Sequence, residues 1–173
     1  STPQSRSAFT ALMSWGAWPA AVLMAGYVIM QLVQAGRTVW NKVETLALTV
    51  SLALFILGCI FGAAINAETT MVTAHYHGTV GAVTLAYMGF GYRMLQIFGY
   101  TGGHLARWQL AVYGSGLLTL ASSLAWLGTL GVPRKTPYVD QAEQTLGTMA
   151  AMGLMGLGGL LSLRGNALSV IAI

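Results

Sequence analysis

Five apolar stretches constrain this chain more than anything else in it. They run at about 14–33, 45–65, 71–98, 110–130 and 146–163, and none contains Asp, Glu or Lys. A helix needs about 20 mainly apolar residues to cross a bilayer. Within lipid the backbone must satisfy its own polar groups, which a helix does and an open strand does not. The expected fold class is therefore an all-α integral membrane protein with about five transmembrane helices. Composition agrees: 7% of the 173 residues are charged and 55% are hydrophobic, with a mean hydropathy of +0.67. A soluble domain carries roughly 25% charged residues. Short connections make consecutive helices antiparallel neighbours in one membrane domain spanning 1–173, with no internal repeat and no soluble appendage. Arg6 precedes a full-length span, so no cleavable signal peptide is expected.

Orientation follows from the cations at the ends of the spans. Arg37, Lys42, Arg93, Arg107 and Arg164 collect on one side, and Arg6, Arg134 and Lys135 on the other. The side with five should be cytoplasmic, which puts the N-terminus and the loops around Glu68 and Arg134 outside. The net charge of +4 is a small sum over few groups. It fits a membrane surface and gives no reason to expect a nucleic-acid partner.

The third stretch holds the chemistry. His75 and His77 lie near its start, and coordinating side chains at membrane depth are costly enough to mark function. Residues two apart on an α-helix point roughly 200° from each other. The two imidazoles therefore cannot share one ion but can each ligate a different one. Axial ligation of two haem irons, one macrocycle on each side of the helix, suits that geometry.

Ala74-His75-Tyr76-His77 followed by Val83-Thr84-Leu85-Ala86-Tyr87-Met88-Gly89 resembles the tenth transmembrane helix of subunit I of the haem-copper oxidases. Gly131-Val132-Pro133-Arg134-Lys135 is similar to the loop between helices eleven and twelve of that family. The resemblance covers nearly the whole chain as helices eight to twelve of a twelve-helix bundle. It implies that His75 ligates a high-spin haem and His77 a low-spin haem, with Tyr76 packed between them. It also implies that Arg134 and Lys135 hold haem propionates, since carboxylates at the edge of a low-dielectric site need cationic donors. At Glu68-Thr69 the family has a magnesium-binding acid next to a histidine. Here Ala67 stands in place of that histidine. Glu68 and Thr69 are then either support for a propionate or proton exit, or a solvated loop.

Other features have plainer readings. Trp15, Trp40 and Trp108 form an aromatic belt. Gly58 and Gly62, and the glycines at 153, 156, 158 and 159, make small-residue faces for close helix contact. Cys59 is the only cysteine and reads as packing. His104 reads as a surface or interfacial residue. Thr79, Thr84 and Tyr87 either line a polar track or satisfy backbone carbonyls.

No histidine precedes His75. The family's copper ligands and its second low-spin haem ligand come from helices one to seven, so the resemblance requires a membrane partner chain that supplies them. The expected chain is a separately encoded C-terminal half, a fragment of a longer subunit, or a half-size relative. The implied enzyme reduces oxygen to water with electrons from cytochrome c, a cupredoxin or quinol, coupled to proton transport. It would work with other oxidase subunits in a prokaryotic cytoplasmic membrane. A nitric-oxide reductase component, a non-catalytic haem-bearing electron-transfer or anchor subunit, and a purely structural subunit are the alternatives.

Overall fold

The computed structural model describes residues 3–100, 103–135 and 145–171. Among them every regular element is a helix, and the sole β pairing is an isolated bridge between Thr69 and Pro133. The chain divides into two compact units, Ser1–Val39 and Trp40–Ile173.

In the first unit, helix α1 (Pro3–Ala11) passes through a π-helical segment, Leu12–Ala17, into α2 (Trp18–Gln34). The sequence places Pro19 in the opening turns of a span, where its missing N–H would cost nothing. Instead the helix begins at Pro3 and Pro19 lies inside a continuous run. A proline there cannot donate to the carbonyl of Trp15, and its ring crowds that carbonyl. Widening to π geometry just before it relieves the clash. Trp18, Val22, Leu23 and Tyr27 on α2 are all exposed.

The second unit contains α3 (Val43–Ala63), α4 (Thr70–Ile97), α5 (His104–Thr129) and α6 (Leu146–Ile171). Helix α3 packs on α4, α4 on α5, and α5 on α6. The contacts run in opposite directions along each pair. Gln96 near the end of α4 bonds Glu44 at the start of α3, whereas His75 near the start of α4 bonds Gly58 near the end of α3. Thr70 meets Leu124, and Tyr92 meets Gln109. The neighbours are thus antiparallel, as the short connections predict.

Lipid is as apolar as leucine, so tight packing rather than apolar burial must hold such helices together. Backbones accordingly approach through glycine. A Cβ on Gly78 would stand 2.6 Å from the Cα of Gly58, and one on Gly158 would stand 2.5 Å from the amide nitrogen of Leu120. Of the glycines expected to form a face on α6, only Gly158 does so; Gly153, Gly156 and Gly159 have nothing within 4 Å. Between these contacts Leu54, Leu85 and Leu110 are fully buried.

Three of the helices, α3, α5 and α6, are long and apolar enough to cross a membrane. The five expected spans all fall on helices, but two differ in kind. The α-helical part of the first is cut to 17 residues by the π segment. The third, α4, has 28 residues, but Thr73, His75, His77, Thr79 and Thr84 dilute its apolar character.

Candidate functional site

The start of α4 is fixed from two sides. Thr69 caps it, its hydroxyl accepting a hydrogen bond from the Met71 amide at 3.3 Å, which satisfies one of the helix's free amides. The Thr70 hydroxyl donates to the Leu124 carbonyl on α5 at 2.9 Å. The chain leaving α5 then pairs with the chain entering α4. The Thr70 amide donates to the Val132 carbonyl at 2.9 Å and the Arg134 amide to the Glu68 carbonyl at 3.1 Å. Gly131 makes this return possible, because its φ of 78° is one that side-chain-bearing residues avoid.

Three sequence-predicted residues thereby meet at one end of α4. The Arg134 guanidinium lies 3.2 Å from the Glu68 carboxylate. Glu68 is 84% exposed, so their attraction is weak and screened by solvent. The Nε of Arg134 is buried without a hydrogen-bond partner among the described residues. An unmet guanidinium donor is expensive to bury, and the accessible part of the Arg134 side chain, which is 32% exposed overall, lies elsewhere than Nε. Lys135 does not join this pair. It is exposed and holds a left-handed backbone at φ 65°.

His75 and His77 lie on α4 beyond this clamp. His75 turns toward α3, where its Nδ1 is 2.8 Å from the Gly58 carbonyl oxygen. His77 turns away and its Nδ1 is 2.9 Å from the Thr73 carbonyl, one turn back on its own helix. A carbonyl only accepts, so in each neutral ring Nδ1 carries the proton and Nε2 keeps the lone pair. Neither Nε2 has a hydrogen-bond partner among the described residues. Both rings are half-buried. This is how a metal-ligating histidine is commonly held, with the second nitrogen bound to a carbonyl and the ligating one free.

His77 faces an open groove of about 320 Å³ between α4 and α5, lined by Tyr76, Val80, Gly81, Thr84, Tyr113 and Leu117. Tyr76 is also tilted against the His75 ring, 5.4 Å between centroids. It therefore touches both imidazole environments. The hydroxyls of Thr79 and Thr84 bond to their own helix, at the His75 and Val80 carbonyls. That is the backbone-satisfying alternative of the sequence reading. His104 opens α5 and is exposed.

Among the described residues no three of His, Cys, Asp and Glu converge on one point. A bare ion would find one protein ligand on either side of α4. The iron of a haem brings four nitrogens of its own and asks the protein for one or two axial ligands. The donor set fits that group better than it fits an isolated metal ion.

The polar centre that sequence reasoning passed over is Gln109. Its side chain is fully buried. Its Oε1 accepts from the Tyr92 hydroxyl at 3.1 Å and its Nε2 donates to the Gly165 carbonyl at 3.0 Å, tying α4, α5 and α6 together. The available signal was an uncharged polar residue beside a long apolar run, which in a membrane asks for a partner.

No protein-family profile matches this sequence, and no curated protein matches it.

Proposed function

We propose that this chain is the haem-carrying C-terminal half of a haem-copper oxidoreductase subunit I. With its partner chain it reduces oxygen to water, using electrons from cytochrome c, a cupredoxin or quinol, coupled to proton transport in a prokaryotic cytoplasmic membrane. The observation that carries this reading is the pair of opposed imidazoles on α4, each with Nδ1 engaged by a carbonyl and Nε2 free. The resemblance in sequence supplies the rest.

Bound haem would supply electron transfer on the His77 side and oxygen chemistry on the His75 side. The chain's own residues do simpler things. Gly58 and Thr73 hold the Nδ1 protons and fix which nitrogen is free. Tyr76 separates the two ring environments. Arg134 would offer the accessible part of its guanidinium to a carboxylate at the outer end. A partner chain would have to supply the copper ligands and whatever further ligand the haem on the His77 side requires.

Substitution and spectroscopy on the purified complex test the reading. His77→Ala should remove the low-spin visible bands and leave ligand-reactive haem, and His75→Ala should do the reverse. Loss of one and the same haem in both variants would refute the assignment. Recovery of a haem-loaded homo-oligomer, with no partner carrying further histidines, would instead make the chain an electron carrier. Nitric-oxide turnover by a copper-free complex would make it a reductase component. Orientation has its own test: Lys135→Cys should react with an impermeant thiol reagent from outside the cell.

A further inference from the structure

The two glycines on α3 are spaced four apart, the pattern of a helix-packing face, yet they do different work. Gly58 meets the α4 backbone: a Cβ there would stand 2.8 Å from the amide nitrogen of Thr79. Gly62 meets a side chain first. A Cβ on it would lie 2.7 Å from Nδ1 of His75, 2.9 Å from Cε1 and 3.4 Å from Cγ. The three closest atoms all belong to one imidazole. That ring lies in the space a side chain at 62 would fill, and its Nδ1 bonds to the Gly58 carbonyl.

We infer that Gly58 and Gly62 together form a seat for His75, in which Gly62 is a positioning residue that sets the direction of the free Nε2. The Gly58 carbonyl holds the Nδ1 proton, and the missing side chain at 62 lets the ring lie flat enough against α3 to reach it. A methyl at 62 cannot be accommodated with the ring where it is. The imidazole is the movable partner, so it swings away, gives up the bond to Gly58 and re-aims Nε2. His77 needs no such seat, because its carbonyl partner is Thr73 on its own helix. The inference rests on the proposal that His75 is a ligand only for the purpose of the seat, not for its geometry.

The test uses the full chain with ¹⁵N-labelled histidine in detergent micelles, and needs no haem. In the parent, the ring nitrogens of His75 and His77 should both show a protonated Nδ1 and an unprotonated Nε2. Gly62→Ala should shift the His75 pair toward a mixture of tautomers and leave the His77 pair in place. It should also lower the melting temperature. Gly153→Ala, in open space, should do neither. In an H75A background, G62A should no longer lower the melting temperature, because the atoms it collides with are gone. If G62A alone fails to fold, rescue by H75A carries the same meaning. A destabilisation that persists without His75, or an unmoved His75 signal in a folded G62A chain, overturns the inference. In the haem-loaded complex, G62A should perturb the high-spin bands and spare the low-spin ones. A chain that binds no haem but passes the tautomer and double-variant tests keeps the seat and loses the oxidase reading. Haem binding with failed tests does the opposite.

Discussion

The two halves of α4 use polar side chains in opposite ways. In the half nearer Ile97, Tyr92 gives its hydroxyl to Gln109, whose amide reaches Gly165 on α6. Gln109 is fully buried, and both polar atoms of its amide are engaged. In the half nearer Thr70, each histidine commits one nitrogen to a carbonyl and leaves the other without a partner among the described residues. The Arg134 Nε at that end is likewise unmet. A closed polar network joins helices, because every donor it contains is answered within the protein. An open one keeps donors or acceptors for something outside the described residues. Both ends of the helix are tied to their neighbours, through Thr70 and His75 at one and Tyr92 at the other, but only the first keeps unanswered polar atoms for the ligands proposed above.

Four substitutions would sharpen or break that contrast. The largest effect is expected from His77→Ala, which should abolish the low-spin haem bands in the assembled complex. It should leave the folded chain within roughly 1 kcal/mol of the parent, since only a bond within one helix is lost. A variant that unfolds would mean that His77 is structural too.

Next comes Gln109→Leu, which strands the Tyr92 hydroxyl and the Gly165 carbonyl. Interhelical hydrogen bonds in membranes average about 0.6 kcal/mol and reach about 1.7. A loss of roughly 1–3 kcal/mol in a detergent unfolding titration is expected, with haem spectra unchanged. A spectral change with full stability would erase the distinction between the two halves.

Arg134→Gln should act on potential more than on fold. The loss of one unit charge close to a bound haem, at an effective dielectric of 20, would be worth on the order of 1.4 kcal/mol. For one electron that is a fall of about 60 mV in midpoint potential. The fall follows because a nearby positive charge disfavours the more positive, oxidised iron. An unchanged redox titration would separate Arg134 from the haems.

Glu68→Gln should have the smallest effect. The carboxylate is 84% exposed, and such pairs contribute about 0–1 kcal/mol. The backbone bonds of Thr70 and Arg134 should hold the two loops together without it. Collapse of this end in Glu68→Gln would show that the ion pair, rather than the backbone pairing, closes the clamp.

Much of this was written in the sequence. The apolar runs located every long helix, because a helix of this kind is set by local hydropathy, but polar residues hid the start of the first run at Pro3, the start of α5 at His104 and the end of α6 at Ile171. The His75 and His77 spacing alone required opposite faces, because helical geometry admits nothing else. What the linear chain hid was each polar atom's partner. It showed two glycines four apart but not that Gly62 makes room for an imidazole while Gly58 meets a backbone. It showed glycines at 153, 156, 158 and 159 but not that Gly158 alone reaches a neighbouring helix. Gln109 was an isolated amide until α4 and α6 closed around it. Pro19 was harmless at the start of a helix until the helix began earlier. Direction and apolarity are properties of one helix and can be read from its residues. A hydrogen bond or a close approach between helices depends on rotation and register, and those are decided only when the helices pack.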